Sequence, residues 1–242
     1  MVLSRLRTIL WNKKTELVYA HRAQQNNKIL IIFEGFDCAG KTSISRTIAE
    51  HLPSKSTNLL ALGTPTRDEE SQLFGAQRFL SCLPAKGEMN IFDRSYYSRA
   101  NVENVMKFVP KMEVNDFLQN ASKLEDIISN SGVKIIKYWI DVSPEIQKKR
   151  LDDRMSNPLK QWKLSPIDMA SMEKKQEYIE ARDETFLHTH KPYAPWYVVN
   201  GDNKLKAKIN CINHLIGILN NGHGLFKEYK NIDSLRITER YN

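Results

Sequence analysis

The chain has 242 residues, 41% of them hydrophobic and 26% charged, with 36 Lys+Arg against 28 Asp+Glu and a formal net charge of +8. These figures exclude a disordered polyelectrolyte and fit one α/β domain with insertions. No apolar run approaches the roughly 18 residues of a membrane span, so no membrane partner is expected. The basic balance asks for an anionic partner of unspecified kind. No helix-turn-helix, zinc-finger or RNA-binding signature accompanies it, so nucleic acid is not the expected anion. Cys38, Cys82 and Cys211 are too scattered for a disulfide framework or a zinc site. With no apolar signal-peptide core in residues 1–11, a reducing cytoplasm is the expected compartment.

Residues 1–26 read as one or two amphipathic helices with Leu3, Leu6, Ile9, Leu10 and Leu17 on the apolar face. Lys28 to Phe33 is a β-branched apolar run and predicts the first strand. Then comes Gly35-Phe-Asp-Cys-Ala-Gly-Lys-Thr42, matching G-x-x-x-x-G-K-[ST] at every fixed position, followed by helical spacing up to about Leu52, where Pro53 stops it. Strand, glycine loop and helix together predict a phosphate cradle. Gly35 and Gly40 let successive N–H groups turn toward an anion, and the helix adds its positive end. The candidate phosphate or nucleotide contacts are Gly35, Phe36, Cys38, Ala39, Gly40, Thr42 and Ser43. Lys41 brings a point charge to phosphoryl oxygens, and the Thr42 hydroxyl is a candidate Mg²⁺ ligand. Asp37 inside such a loop repels phosphate unless a cation intervenes, so it either helps hold Mg²⁺ or points to solvent and caps the turn. Cys38 is a small filler, since no nearby histidine would activate it.

Thr57 to Leu62 predicts a second strand and Asp68 to Leu83 a helix. Met89 to Asp93 predicts a third strand that ends on a carboxylate. Asp93 would flank the glycine loop if the first and third strands are neighbours, as a carboxylate acting on Mg²⁺ or its waters. Its other reading is a helix N-cap. Arg94 and Arg99 offer planar donors suited to phosphoryl oxygens, although Glu103 lies one helical turn beyond Arg99 and would pair with it in solvent.

Helices fill much of Arg99 to Ser131, with Gly132 as a stop, and Val133 to Asp141 predicts a fourth strand. Ser143-Pro144-Glu145 opens the next helix. Arg150 and Arg154 share one face of it, whereas Lys148 and Lys149 read as a solvated charge run. The polar, basic stretch Asn157 to Asp168, including Lys160, lies where small-molecule kinases carry a lid, placed at about residues 150–175. Trp162 there either anchors the lid or stacks on a base. Met169 to Thr189 is helical, Trp196 to Asn200 a fifth strand, Lys204 to Leu219 a closing helix, and 220–242 a weakly periodic tail. Strands alternating with helices over 1–242 predict a single domain with a five-stranded parallel sheet covered on both faces.

Beyond the loop, longer strings are distinctive: Leu83-Pro-Ala-Lys-Gly-Glu88, Phe92-Asp-Arg-Ser-Tyr-Tyr-Ser-Arg-Ala-Asn-Val-Glu103, Asn157-Pro-Leu-Lys-Gln-Trp-Lys-Leu-Ser-Pro166, Tyr193-Ala-Pro-Trp196 and Asn203-Lys-Leu-Lys-Ala207. In these the chain, from about Ile29 to Leu215, resembles the family 2 polyphosphate kinases. The resemblance implies a P-loop kinase fold like that of thymidylate kinase, a three-layer α/β/α structure with a helical lid. It also implies reversible transfer of a terminal phosphoryl group from inorganic polyphosphate to a nucleotide. Asp37 and Asp93 would be catalytic carboxylates working through Mg²⁺ or Mn²⁺, with Lys41 and Arg94 beside them. Lys41, Arg94, Arg99, Arg150, Arg154 and Lys160 would handle phosphates. Arg99, Ala100 and Glu103 look like the type that takes a diphosphate, ADP or GDP, and makes ATP or GTP. At Tyr96, Ser98 and Asn101 that type more often carries Trp, Asn and Gly. A homo-oligomer, dimer or tetramer, is expected. The alternatives are phosphorylation of AMP by polyphosphate, an ATP-dependent nucleoside monophosphate kinase, and a non-enzymatic basic nucleotide-binding protein.

Overall fold

Five stretches rich in β-branched and aromatic residues pair into one sheet: Lys28–Gly35 (β1), Thr57–Leu60 (β2), Met89–Asp93 (β3), Val133–Asp141 (β4) and Trp196–Asn200 (β5). The computed structural model describes residues 2–70, 72 and 76–220. The strand order is β2-β3-β1-β4-β5, and every pairing is parallel. β1 is buried from Ile29 to Glu34 and β3 throughout. A near-continuous apolar strand needs cover on both faces, and the helices supply it.

Lys204–Leu219 (α10) packs against both Val2–Arg22 (α1) and Lys41–Ala49 (α2). Val102–Val105 (α5), Lys111–Asn130 (α6) and Lys175–Thr189 (α9) form a second group. The sheet with these two groups makes the expected three layers. The N-terminal segment is one continuous helix, with Leu17 and Ala20 buried and Leu3 exposed, so its apolar contact with α10 lies toward its C-terminal end.

The helix expected over Asp68 to Leu83 is replaced by two short pieces, Arg67–Glu70 (α3) and Gln77–Leu80 (α4), separated by residues that fall partly outside the described set. β2 ends at Leu60, two residues early. Pro144–Ser156 (α7) starts as its sequence predicts, with the Ser143 hydroxyl accepting from the Ile146 N–H. Arg150 and Arg154 therefore belong to a regular helix rather than to the excursion after it. That excursion consists of a 3₁₀ turn at Gln161–Lys163 and a helix at Pro166–Glu173 (α8). Asp168 accepts from the Ser165 N–H and hydroxyl, and its own N–H donates back to Ser165 Oγ, so α8 carries a complete capping box. Gly132 ends α6 with φ 89° as expected. The tail expected from 220 lies, but for Asn220, outside the described residues.

The sheet order decides where ligand goes. From β1 the chain steps to one side through α2, and β4 returns on the other side, so a crevice opens at the carboxyl ends of β1, β3 and β4.

Candidate active site

β1 delivers the glycine loop to that crevice. Gly35 has φ 142°, and a Cβ there would lie 2.2 Å from the Ile140 carbonyl oxygen of β4. Gly40, with φ 111°, forms the cap of α2. Cys38 also takes a positive φ, 61°. Phe36 is buried, edge-on to Trp139 at 5.5 Å, with the Lys175 Nζ 3.2 Å from its ring centre. Its side chain therefore anchors the loop, and only its backbone is left to meet a ligand.

Asp37 is 5% exposed, which overturns the solvent-pointing alternative. Its carboxylate accepts from Arg94 Nη2 at 2.7 Å, and its backbone carbonyl accepts from Gln147 Nε2 at 3.0 Å. Burial by itself would raise the Asp37 pKa, but Arg94, Lys41 and Arg154 outweigh it and hold the carboxyl below its ordinary value. Lys41 donates to the carbonyls of Gly35 at 2.6 Å and Phe36 at 3.0 Å. Burial, then Arg94, lowers its pKa, against the pull of Asp37, Glu34 and Asp93. Thr42 is exposed at the head of α2, with Ser43 half-buried beside it. Burial pushes the Cys38 thiol up to about 11, so the side chain is an inert filler, as expected.

Phe33 pairs with Asp93, so β3 ends beside the loop as the sequence required. Asp93 is 7% exposed, and among the described residues nothing donates a hydrogen bond to its carboxylate. The cap role falls to Ser95, whose hydroxyl accepts from Tyr97 N–H. Arg94 has φ 72°, its N–H donates to Phe33 O, and its side chain is 42% exposed. Burial lowers the Arg94 pKa, but Asp37 and Glu34 more than reverse this, so the guanidinium stays charged. Asp37, Asp93, Lys41 and Arg94 thus meet at one edge.

Three expected phosphate contacts are engaged elsewhere. Arg99 is 4% exposed and bound to Glu103 at 3.1 Å and to Glu113. This is the Arg99–Glu103 pair anticipated from spacing, but buried rather than solvated. Arg150 donates Nη1 to the carbonyls of Cys38 and Ala39 and Nη2 to those of Gly201 and Asp202, so it braces the back of the loop. Lys160 pairs with Asp153. Arg154 is 23% exposed in its side chain and pairs with Asp168 at 2.9 Å, near enough to act on Asp37. Trp162 is 72% exposed, its indole N–H donating to Leu159 O, so its ring does not anchor the excursion.

Several site residues were not anticipated. Glu34, 3% exposed, accepts from both the N–H and the hydroxyl of Ser95 at 2.8 Å and so fixes the strained Arg94 turn. Gln147 bridges Asp37 to Lys175. A Cβ on Gly201 would meet Asp141 O at 2.7 Å and Ala39 O at 2.9 Å, so this glycine lets β5 approach the loop. Glu34 stands directly before the motif and was legible as a buried acid at a strand end. Gln147 and Gly201 carry no sequence signal.

Among the described residues no cluster of three or more His, Cys, Asp or Glu is placed to hold a metal ion. Mg²⁺ takes one or two carboxylates and completes its shell with water and phosphate. The Asp93 carboxylate, which accepts no hydrogen bond among the described residues, fits that smaller requirement together with Asp37 and the Thr42 hydroxyl. The three cysteines are free thiols, and no described helix is long and apolar enough to cross a membrane.

A family profile described as Polyphosphate kinase 2 (PPK2) matches residues 7–224. The chain is 39% identical over 220 residues to NDP-polyphosphate phosphotransferase 1 of Ruegeria pomeroyi, covering 90% of this chain and 69% of that one. It is 40% identical to the GDP-polyphosphate phosphotransferase of Pseudomonas aeruginosa over 80% of this chain and 54% of that one. The ADP-polyphosphate phosphotransferase of the same organism is also 40% identical, over 78% and 62%. The chain thus spans between 54% and 69% of the length of these relatives. The crystal structure of polyphosphate kinase 2 from Arthrobacter aurescens superposes with a TM-score of 0.84 at 26% identity, covering 91% of this chain and 80% of that one.

Proposed function

The chain belongs to the polyphosphate kinase 2 family, and we propose that it transfers the terminal phosphoryl group of inorganic polyphosphate to a nucleoside diphosphate, ADP or GDP, reversibly. The observation that carries this reading is the meeting of Asp37, Asp93, Lys41 and Arg94 where β1 and β3 end. Phosphoryl transfer asks a protein mainly for positioning and for neutralising the charge of the group in flight.

In this reading the loop N–H groups and the head of α2 hold phosphate oxygens. Lys41 moves from the Gly35 and Phe36 carbonyls onto a phosphoryl oxygen. Arg94, anchored by Asp37, presents its remaining N–H groups to the transferring group. Asp93, Asp37 and Thr42 would hold Mg²⁺, which when bound would neutralise phosphate charge. Arg154 and the excursion at 157–174 close over the donor, and Arg154 exchanges Asp168 for phosphate. The diphosphate preference rests on Arg99, Ala100 and Glu103. Of the departures from that type, Tyr96 is buried with its hydroxyl on Glu125, and Asn101 is buried with its amide on Tyr97 O, so both serve packing. A homo-oligomer is supported by exposed Trp11 and Tyr19 on α1. Sedimentation velocity would reveal it as a mass at least twice that of the chain. The protein is expected to act in the cytoplasm, which fractionation would test.

The test is a coupled assay with ADP or GDP, Mg²⁺ and long-chain polyphosphate, with AMP as parallel acceptor. Triphosphate that requires both polyphosphate and Mg²⁺, and falls at least 100-fold in Asp93→Asn, is the expected result; that figure is on the order of one lost transition-state contact. Product from AMP alone would move the acceptor to monophosphates. Transfer only from ATP to a monophosphate would overturn the polyphosphate reading.

A further inference from the structure

One buried polar group at the site has no task in this scheme. Lys175, Tyr178 and Arg182 lie on one face of α9, and all three approach the ring of Phe36. Tyr178 meets that ring edge-on at 6.5 Å and is 4% exposed. Among the described residues no group hydrogen-bonds its phenolic oxygen. A buried hydroxyl without a partner is costly and rare in native proteins.

Three charges of the site act on this hydroxyl. They are Asp37, Arg94 and Asp168: the loop carboxylate, the arginine bound to it, and the carboxylate at the head of α8. Both carboxylates have other partners. Asp37 accepts from Arg94, and Asp168 accepts from Arg154 and Ser165. Burial, reinforced by Asp37, raises the phenol pKa, so at neutral pH the group stays protonated and able to donate. A neutral donor in the field of the Arg94 guanidinium suits the oxygen of a phosphoryl group.

We infer that Tyr178 is a further catalytic residue, its hydroxyl donating a hydrogen bond to a phosphoryl oxygen of the substrate bound among Asp37, Arg94 and Asp168. This rests on the phosphoryl-transfer reading above. The oxygen belongs either to polyphosphate or to the nucleotide, and the chemistry of the contact is the same for both.

Tyr178→Phe in the full chain tests it, because only the hydroxyl is removed. Without substrate its Tm should equal or exceed that of the wild type, since the lost group had no protein partner. With substrates, kcat/KM should fall about 10- to 100-fold, as for one hydrogen bond to a charged group. The Tm increments produced by ADP with Mg²⁺ and by polyphosphate are measured separately. A smaller increment with polyphosphate alone assigns the contact to the donor, and with ADP alone to the acceptor. A lower substrate-free Tm would show a protein partner and overturn the inference. So would kcat/KM within twofold of wild type with both increments unchanged. If the wild type itself moves no phosphoryl group from polyphosphate, the reaction reading fails by itself. The two Tm increments then still decide Tyr178: a reduced increment supports the contact, and unchanged increments overturn it.

Discussion

Two glycines of one loop should respond differently to the same added methyl group. In Gly35→Ala the new Cβ would stand 2.2 Å from Ile140 O, 2.7 Å from Ile140 N and 2.9 Å from its carbonyl carbon. Those atoms are backbone of β4, paired with β1 in register, and cannot swing aside. Relief requires the strands to part by roughly 1 Å, at the expense of ladder hydrogen bonds and dispersion contacts. Overpacking of this kind costs about 1–3 kcal/mol. Its φ of 142° adds backbone strain of about 1–3 kcal/mol for any residue with a side chain. The expected loss is therefore about 2–6 kcal/mol, a large part of the roughly 5–15 kcal/mol that holds a domain folded. Gly40→Ala carries a similar backbone strain at φ 111°, but nothing lies within 4 Å of its Cβ, so its loss should stay near 1–3 kcal/mol. Urea unfolding, followed through the buried Trp139 and Trp196, compares the midpoints. Equal midpoints for the two variants, or Gly35→Ala within about 1 kcal/mol of wild type, would refute the close-approach argument.

Other perturbations follow from the same contacts. Arg150→Met removes both terminal nitrogens from four carbonyls and should lower the substrate-free stability by about 2–3 kcal/mol; an unchanged Tm with weakened phosphate binding would make Arg150 a ligand contact instead. Lys137 and Glu125 are both fully buried and bonded to each other and to the Tyr97 hydroxyl, and Lys137 also donates to Thr189 O. Lys137→Met strands the Glu125 charge and should cost about 3–5 kcal/mol, and a chemical denaturation midpoint within error of wild type would contradict this. Burial raises the Glu34 pKa above its ordinary 4.5, against the opposing pull of Lys41 and Ser95. Folding then favours the protonated form, so wild-type stability should decline relative to Glu34→Gln as pH rises from about 4.5 through the folded value. Urea midpoints between pH 4 and pH 8 measure that difference, and a decline on acidification instead would reverse the assignment.

The fold and the loop were legible because both are local in the chain. β3, β4, β5 and α10 start and stop where apolar periodicity, Ser143-Pro144 and Gly132 indicate, since caps and breakers act within a few residues. Asp93 was expected beside the glycine loop if β1 and β3 were neighbours, because a parallel sheet presents its ligand side at the strands' carboxyl ends, and the two strands do pair. Between Arg67 and Leu80 the expected helix is met by two four-residue pieces, with residues 71 and 73–75 outside the described set.

The cationic residues separate the two levels most clearly. Composition supplied an excess of positive charge, and spacing put Arg150 and Arg154 on one helical face, but neither says which carbonyl or carboxylate a guanidinium meets. Arg99 met Glu103 as its spacing anticipated but also Glu113, fourteen positions along, and Arg150 went to the carbonyls of a loop more than a hundred positions away. Gln147, Tyr178 and Gly201 met the loop through contacts between residues remote in the chain that no local pattern encodes. The amino-acid sequence by itself determined the sheet, the glycine loop and the strand-end position of Asp93, because backbone geometry and short-range spacing suffice for them. Only the tertiary structure decided which charges remain for substrate, because pairing is settled by distances between residues remote in the chain and by the burial that makes those distances matter.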